Sequence, residues 1–201
     1  MQKKTLYFLR HAQSVYNKMN ILQGQIDSPL SDEGEAEAKR VAHRFKELGA
    51  KHVAHSPLMR AKQTAMIVNE QLNLPTSEWD DIREMSFGNW QHEQKYEYWD
   101  EFRRDFYEHG TPPPGGESRD GLYRRVEDEV HNICNSIDDS PILIACHGMV
   151  MRVLLGYWFT NKTEKGFRSL KVPNLGVFKV EVEFDKEKLN PLSHEYVDLL
   201  S

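Results

Sequence analysis

The most constraining feature of this sequence is a recurring local pattern: a short apolar run, an abrupt polar stop, and then a helical stripe. Thr5–Leu9 (TLYFL) is bounded by lysines before and by Arg10 and His11 after. His52–Pro57 (HVAHSP) stops at a Ser-Pro break, and Ala61, Ala65, Val68 and Leu72 then repeat at helical spacing over Leu58–Leu72. Pro141–Gly148 (PILIACHG) stays apolar until His147, and VMRVLLGYWF follows as a helix. An apolar run that does not alternate is a strand covered on both faces, so helices must lie on both sides of a mostly parallel sheet. The pattern predicts the α/β class.

The remaining segments fill in that plan. From Ser31, an acidic first turn (Asp32, Glu33, Glu35) opens a helix with Ala38, Val41, Phe45 and Leu48 on one face and Gly49 as its stop. YEYWDEFRRDFYEHG places Trp99, Phe102 and Phe106 on one helical face and suits a lid. Thr111–Ser118 (TPPPGGES) is a loop, and Leu122, Val126, Val130, Ile133 and Ile137 form another helical stripe. NLGVFKVEVEF alternates as a late strand. A chain of 201 residues without internal repeats fits one domain over 1–201.

Composition excludes several function classes. With 39% apolar and 28% charged residues the chain is a globular protein and not a disordered one. A net charge of −5, with no basic block, argues against nucleic acid and leaves any anionic substrate to a local site. Cys134 and Cys146 show no paired spacing, which points to a reducing, cytoplasmic setting without disulfides. No run is long enough for a signal peptide or a membrane span, so no membrane partner is expected.

In parallel sheets ligands bind beyond the carboxyl ends of the strands. Arg10 with His11, His55 with Ser56, and Cys146 with His147 are therefore expected to face one crevice. A neutral imidazole is a nucleophile toward phosphorus if neighbouring cations keep it deprotonated. Arg60, near the start of a helix, offers the rigid fork that fits phosphate oxygens, although most helix arginines simply form surface ion pairs. Gly148 permits close backbone approach beside His147. Glu84, in an apolar and aromatic stretch, is a candidate proton donor to a leaving alkoxide, where the commoner fate of a glutamate is a solvated surface. The other histidines lack metal-ligand spacing, so neither a metal nor another cofactor is expected.

Six stretches, LRHAQSVYN, LQGQIDSPLSDEG, HSPLMRAKQTA, REMSFGNWQ, PPGGES and IACHG, occur in an order and spacing that resembles the histidine phosphatase superfamily, the phosphoglycerate-mutase-like proteins. The resemblance implies a three-layer α/β/α sandwich and an enzyme in which His11 becomes a phosphohistidine. It implies Arg10, Arg60 and His147 as the phosphoryl clasp, Glu84 as the acid, and Asn17, Gln23, Gly24 and Gly148 as further substrate-binding positions. Two arginines and an imidazolium would stabilise phosphoryl transfer without a metal. REMSFGNWQHEQKYEYW is more similar to the phosphatase branch than to the mutases. The expected activity is a metal-independent phosphatase of a small phosphorylated metabolite; a cofactor-dependent phosphoglycerate mutase and a silent phospholigand-binding protein are the alternatives.

The chain also departs from the family pattern. Ala12 stands where glycine is usual, His55 and Cys146 replace hydroxyl residues and bear on the crevice wall, and Gln91-His92 replaces Glu-Gly. Tyr96 to His109, with Arg103 and Arg104, and Pro112 to Ser118 are expected to border the leaving group. The aromatic-rich segment would serve as that lid or as a homodimer contact.

Overall fold

In a computed structural model, which describes residues 1–200 apart from the side chains of residues 96 and 164, the first strand lies inside the sheet. β1 (Gln2–Arg10) pairs in parallel with β4 (Ile142–Cys146) and antiparallel with β5 (Val177–Phe184). β2 (His52–His55) runs parallel to β4 and to β3 (Thr76–Glu78), and β6 (Leu189–Val197) closes the far edge, giving the order β3-β2-β4-β1-β5-β6. The sheet is mostly parallel, as the uninterrupted apolar runs predict. β1 begins earlier than Thr5 because β5 pairs with it as far as Gln2. Lys4 is accordingly buried, and its Nζ donates to the carbonyls of Cys134 and Ile137.

Helices cover both faces, which makes three layers. Leu6, Phe8, Ile142, Ile144 and Val180 pack with α5 (Arg119–Ser136) and α6 (Gly148–Phe159). Tyr7, Leu9, Val53, Leu143 and Ala145 pack on the other side with α2 (Asp32–Val41) and α3 (Met59–Leu72). Adjacent residues of a buried strand thus serve opposite cores, because side chains alternate across a sheet. Among the described residues, no helix is long and apolar enough to cross a membrane.

Several elements differ from the sequence expectation. The helix opening at Ser31 is α-helical only to Val41; Ala42–Leu48 tightens to a 3₁₀ helix that ends at Gly49 with φ +64°. β3, β6 and α7 (Glu164–Ser169) had no apolar signature. β6 is an exposed edge strand carrying Pro191, and an edge strand needs neither alternation nor a full set of ladder donors.

α4 (Lys95–Phe102) passes directly into a π-helical turn, Arg103–His109. The wider turn directs both Phe106 and Tyr107 into the core. Phe102 is the hub of this segment, with its ring centroid 4.7 Å from Phe106, 5.3 Å from Phe87 and 5.4 Å from Trp99. Phe102→Ala is expected to lower the unfolding free energy by about 3–5 kcal/mol in urea titrations; a loss below about 1 kcal/mol would show that α4 contributes little to the fold.

Candidate active site

The carboxyl edge of the parallel strands opens into a cavity of about 170 Å³, room for roughly a dozen waters or a small ester. Arg10, His11, Asn17, Gln23, Gly24, Arg60, Glu84 and Gly148 line it, so residues far apart in sequence converge as the strand-end rule predicts.

His11 follows directly from β1, and its backbone N–H continues the β1–β4 pairing by donating to Cys146 O at 3.1 Å. Its Nδ1 lies 2.7 Å from Ala12 O. A carbonyl only accepts, so Nδ1 carries the proton and Nε2 keeps its lone pair. Burial, then the guanidinium groups of Arg60 and Arg10, hold this imidazole well below the usual range. His11 is therefore a neutral base at ordinary pH. Asn174 donates to His11 O at 2.8 Å and to Asn17 Oδ1 at 3.4 Å, holding the strand end against α1 (Val15–Lys18).

His147 lies one layer deeper, with its ring 5.4 Å from that of His11. Its Nε2 is 2.8 Å from Ser56 Oγ, which also accepts from Leu58 N. With the Ser56 hydroxyl assigned as donor to Nε2, Nδ1 carries the ring proton, and this buried nitrogen has no partner among the described residues. Burial, then Arg60, His11 and Arg10, hold His147 well below the usual imidazole range as well. The expected imidazolium is corrected to a neutral imidazole, because two buried guanidinium groups already occupy the site.

Arg60 is buried at the first turn of α3, and donates to Gly24 O at 2.8 Å and to Ile26 O at 3.0 Å. Burial pulls it down to about 10, still cationic at neutral pH. Arg10 donates to Val172 O at 2.7 Å. Both arginines keep a buried Nε without a partner among the described residues. Gly24 has φ +53°, and a Cβ there would collide with Gln91. Gln91 Oε1 accepts from Gln25 N at 3.1 Å and Phe87 N at 3.3 Å, so the Gln91 departure ties the Gly24 loop to the acid-bearing loop.

Glu84 accepts from Met85 N, Met149 N and Val150 N at 2.9, 3.2 and 3.3 Å, which seats its carboxyl at the start of α6. Arg125 keeps the acid loop in place: it pairs with both oxygens of Glu117 at 2.9 and 2.8 Å and donates to the Asp81 and Arg83 carbonyls. PPGGES therefore buttresses the acid loop, a correction to its expected place beside the leaving group.

Other expectations are corrected too. Cys146 points into the α5/α6 core, and burial raises its thiol. His55 turns its Nδ1 to Ser56 O at 3.0 Å and stays off the cavity wall; Ser56 is the useful residue at that strand end. Ala12 packs in the α2/α3 core without a positive φ, so its methyl group introduces no strain. Arg103 and Arg104 pair with Asp100 and Asp105 on the outer surface. Of the expected lid segment, 96–109, Trp99 alone lines the cavity among the described residues, with Lys95 just before the segment joining it; the Tyr96 side chain lies outside the described residues. Lys95, Arg152 and Asn174 had not been singled out. Arg152 lies one turn beyond Gly148 on the same face of α6, a spacing that could have revealed it.

The two buried histidines predict how stability varies with pH. Unfolded imidazoles protonate near 6.5 while these two stay neutral in the fold. Below that pH the unfolded chain binds more protons, so stability is present above it and is lost as pH falls, by up to ~1.4 kcal/mol per unit for each histidine. Urea midpoints between pH 8 and 5 are expected to decline on the acid side; a flat profile would overturn the neutral assignment.

A family model described as the histidine phosphatase superfamily (branch 1) matches residues 6–194. A Hydrogenobacter thermophilus protein provisionally named phosphoserine phosphatase 2 is 28% identical over 202 residues, 95% of this chain and 97% of that one. A Salmonella paratyphi C protein provisionally named a phosphoglycerate mutase is 31% identical over 156 residues, 75% of this chain and 72% of that protein. Among solved structures, a mycobacterial glucosyl-3-phosphoglycerate phosphatase complexed with VO3 superposes with TM-score 0.80 at 25% identity, covering 96% of this chain and 97% of that chain.

Proposed function

Because the chain belongs to the histidine phosphatase superfamily, branch 1, we propose that it hydrolyses a small phosphomonoester through a phosphohistidine on His11. One observation supports this reading: Arg10 Nε, Arg60 Nε and His147 Nδ1 are buried and have no partner among the described residues, and all three belong to residues gathered around His11. A buried donor left unpaired costs about 1–3 kcal/mol, and phosphoryl oxygens remove that cost.

In the first step His11 Nε2 attacks phosphorus and the bond to the leaving oxygen breaks. Arg10, Arg60 and His147 hold the phosphoryl oxygens, Asn17 and Gln23 add polar contacts, and Gly24 and Gly148 leave room for the group. Glu84 gives its proton to the departing alkoxide. In the second step water attacks the phosphohistidine, Glu84 takes the proton, and the P–N bond breaks to release inorganic phosphate. Fixed cations aimed at the developing charge supply most of the stabilisation.

The test is phosphate release from a panel of phosphomonoesters with EDTA present. Release from one or a few compounds, strongly inhibited by vanadate, is the expected result, since trigonal-bipyramidal vanadate resembles the transition state. Activity lost in EDTA and restored by magnesium would overturn the metal-independent route. Formation of 2-phosphoglycerate from 3-phosphoglycerate after priming with bisphosphoglycerate, without phosphate release, would make the chain a mutase.

A further inference from the structure

The turn that leads into β5, residues 172–176, holds the strand end that carries His11. Arg10 N donates to Gly176 O at 3.0 Å, and Leu175 N donates to Arg10 O at 3.1 Å. One Arg10 Nη donates to Val172 O at 2.7 Å. Asn174 Nδ2 donates to His11 O at 2.8 Å and to Asn17 Oδ1 at 3.4 Å. Among the described residues of this turn, Val172 alone lines the cavity, so the others act through what they hold. Leu175 stands at φ +56°, in the left-handed region that a bulky side chain rarely adopts. Its side chain is 1% exposed in the α2/α3 core, and a strained residue persists only where its surroundings over-determine it.

The residue whose chemistry depends on this turn is Asn17. A side-chain amide has an acceptor end and a donor end, and only the donor end suits an anionic phosphoryl oxygen. A backbone carbonyl only accepts, so His11 O fixes the Asn174 amide with its NH2 inward. The same NH2 then meets Asn17 Oδ1, which also accepts from Ser14 N at 3.3 Å. The orientation runs from His11 O through Asn174 Nδ2 to Asn17 Oδ1, and leaves Asn17 Nδ2 for the cavity that Asn17 lines.

Resting on the phosphatase reading, we propose that Asn174 is a positioning residue that fixes the Asn17 amide with its NH2 toward the phosphoryl group while it holds the His11 backbone. Asn174 touches no substrate. It decides which end of a neighbouring amide the substrate meets.

The experiment measures orthovanadate binding by calorimetry, which needs no turnover, in a double-mutant cycle over Asn17 and Asn174. In the parent protein Asn17→Ala is expected to weaken binding about tenfold or more, the value of a hydrogen bond to a charged group. Asn174→Asp keeps the shape of the side chain but presents only acceptors, so the Asn17 amide turns its NH2 to the new carboxylate and its oxygen to the ligand. In that background Asn17→Ala is expected to weaken binding by less than about twofold, or to improve it. A general effect of the added negative charge, or of a loosened turn, would lower both affinities alike and leave the Asn17→Ala ratio unmoved. Asn174→Ala removes one of the two donors to Asn17 Oδ1 without adding charge, and is expected to make the cost of Asn17→Ala about threefold smaller. An undiminished cost beside Asn174→Asp, or beside Asn174→Ala where circular dichroism shows the aspartate variant unfolded, would overturn the proposal. So would the absence of any cost, or of vanadate binding, in the parent protein. The phosphatase reading fails separately, through absence of phosphate release by a parent protein that binds vanadate.

Discussion

His11→Ala protein is expected to release no phosphate from any ester that the parent protein hydrolyses, a fall of at least about four orders of magnitude in kcat. Nδ1 is committed to Ala12 O, so Nε2 alone presents a lone pair to the cavity. No neighbour can substitute for it. Ser56 Oγ is engaged by His147 and Leu58, and the Cys146 thiol lies in the opposite core. Rapid quench with a ³²P-labelled ester is expected to trap acid-labile label on the parent protein and none on the variant. Substantial phosphate release by folded His11→Ala protein, as judged by circular dichroism, would remove His11 as the nucleophile.

Arg60→Met carries the second largest expected effect, a loss of about two to four orders of magnitude in kcat/KM. Arg60 is 1% exposed and holds the Gly24 and Ile26 carbonyls while its Nε faces no protein acceptor. Methionine keeps the volume and removes both the charge and the tie to the Gly24 loop. Arg60 is also the leading charge acting on His11 and on His147. Taking a cation away makes both imidazoles easier to protonate, so the acid limb of the pH–rate profile is expected to move to higher pH. A rate loss with an unmoved acid limb would mean that Arg60 binds phosphate without tuning the nucleophile.

Much of this site was legible because sheet topology turns sequence position into spatial position. Arg10, His11 and His147 end apolar runs, and parallel strands deliver their carboxyl ends to one crevice. Glu84 had a weaker local signal, a lone carboxylate in an apolar and aromatic stretch, and its role leaned on the motif resemblance. It arrives on an irregular loop placed by Arg125, Glu117 and Gln25, all distant in sequence. Cys146 and His55 were misplaced for a simple reason: successive residues of a strand face opposite sides, and nothing local says which side opens to the cavity. β6 escaped notice because an exposed edge strand has no buried face to write a pattern.

The sequence by itself determined the α/β class, the mostly parallel sheet, the faces of the main helices and the gathering of His11, Arg10, Arg60 and His147. These follow from periods of two and 3.6 residues and from the abrupt ends of apolar runs. Only the tertiary structure decided that both histidines are neutral, that three buried nitrogens around His11 lack partners among the described residues, and that Arg152 and Lys95 share the cavity. Those properties depend on desolvation and on charges brought close by long-range packing, and neither is written in the spacing of residues along the chain.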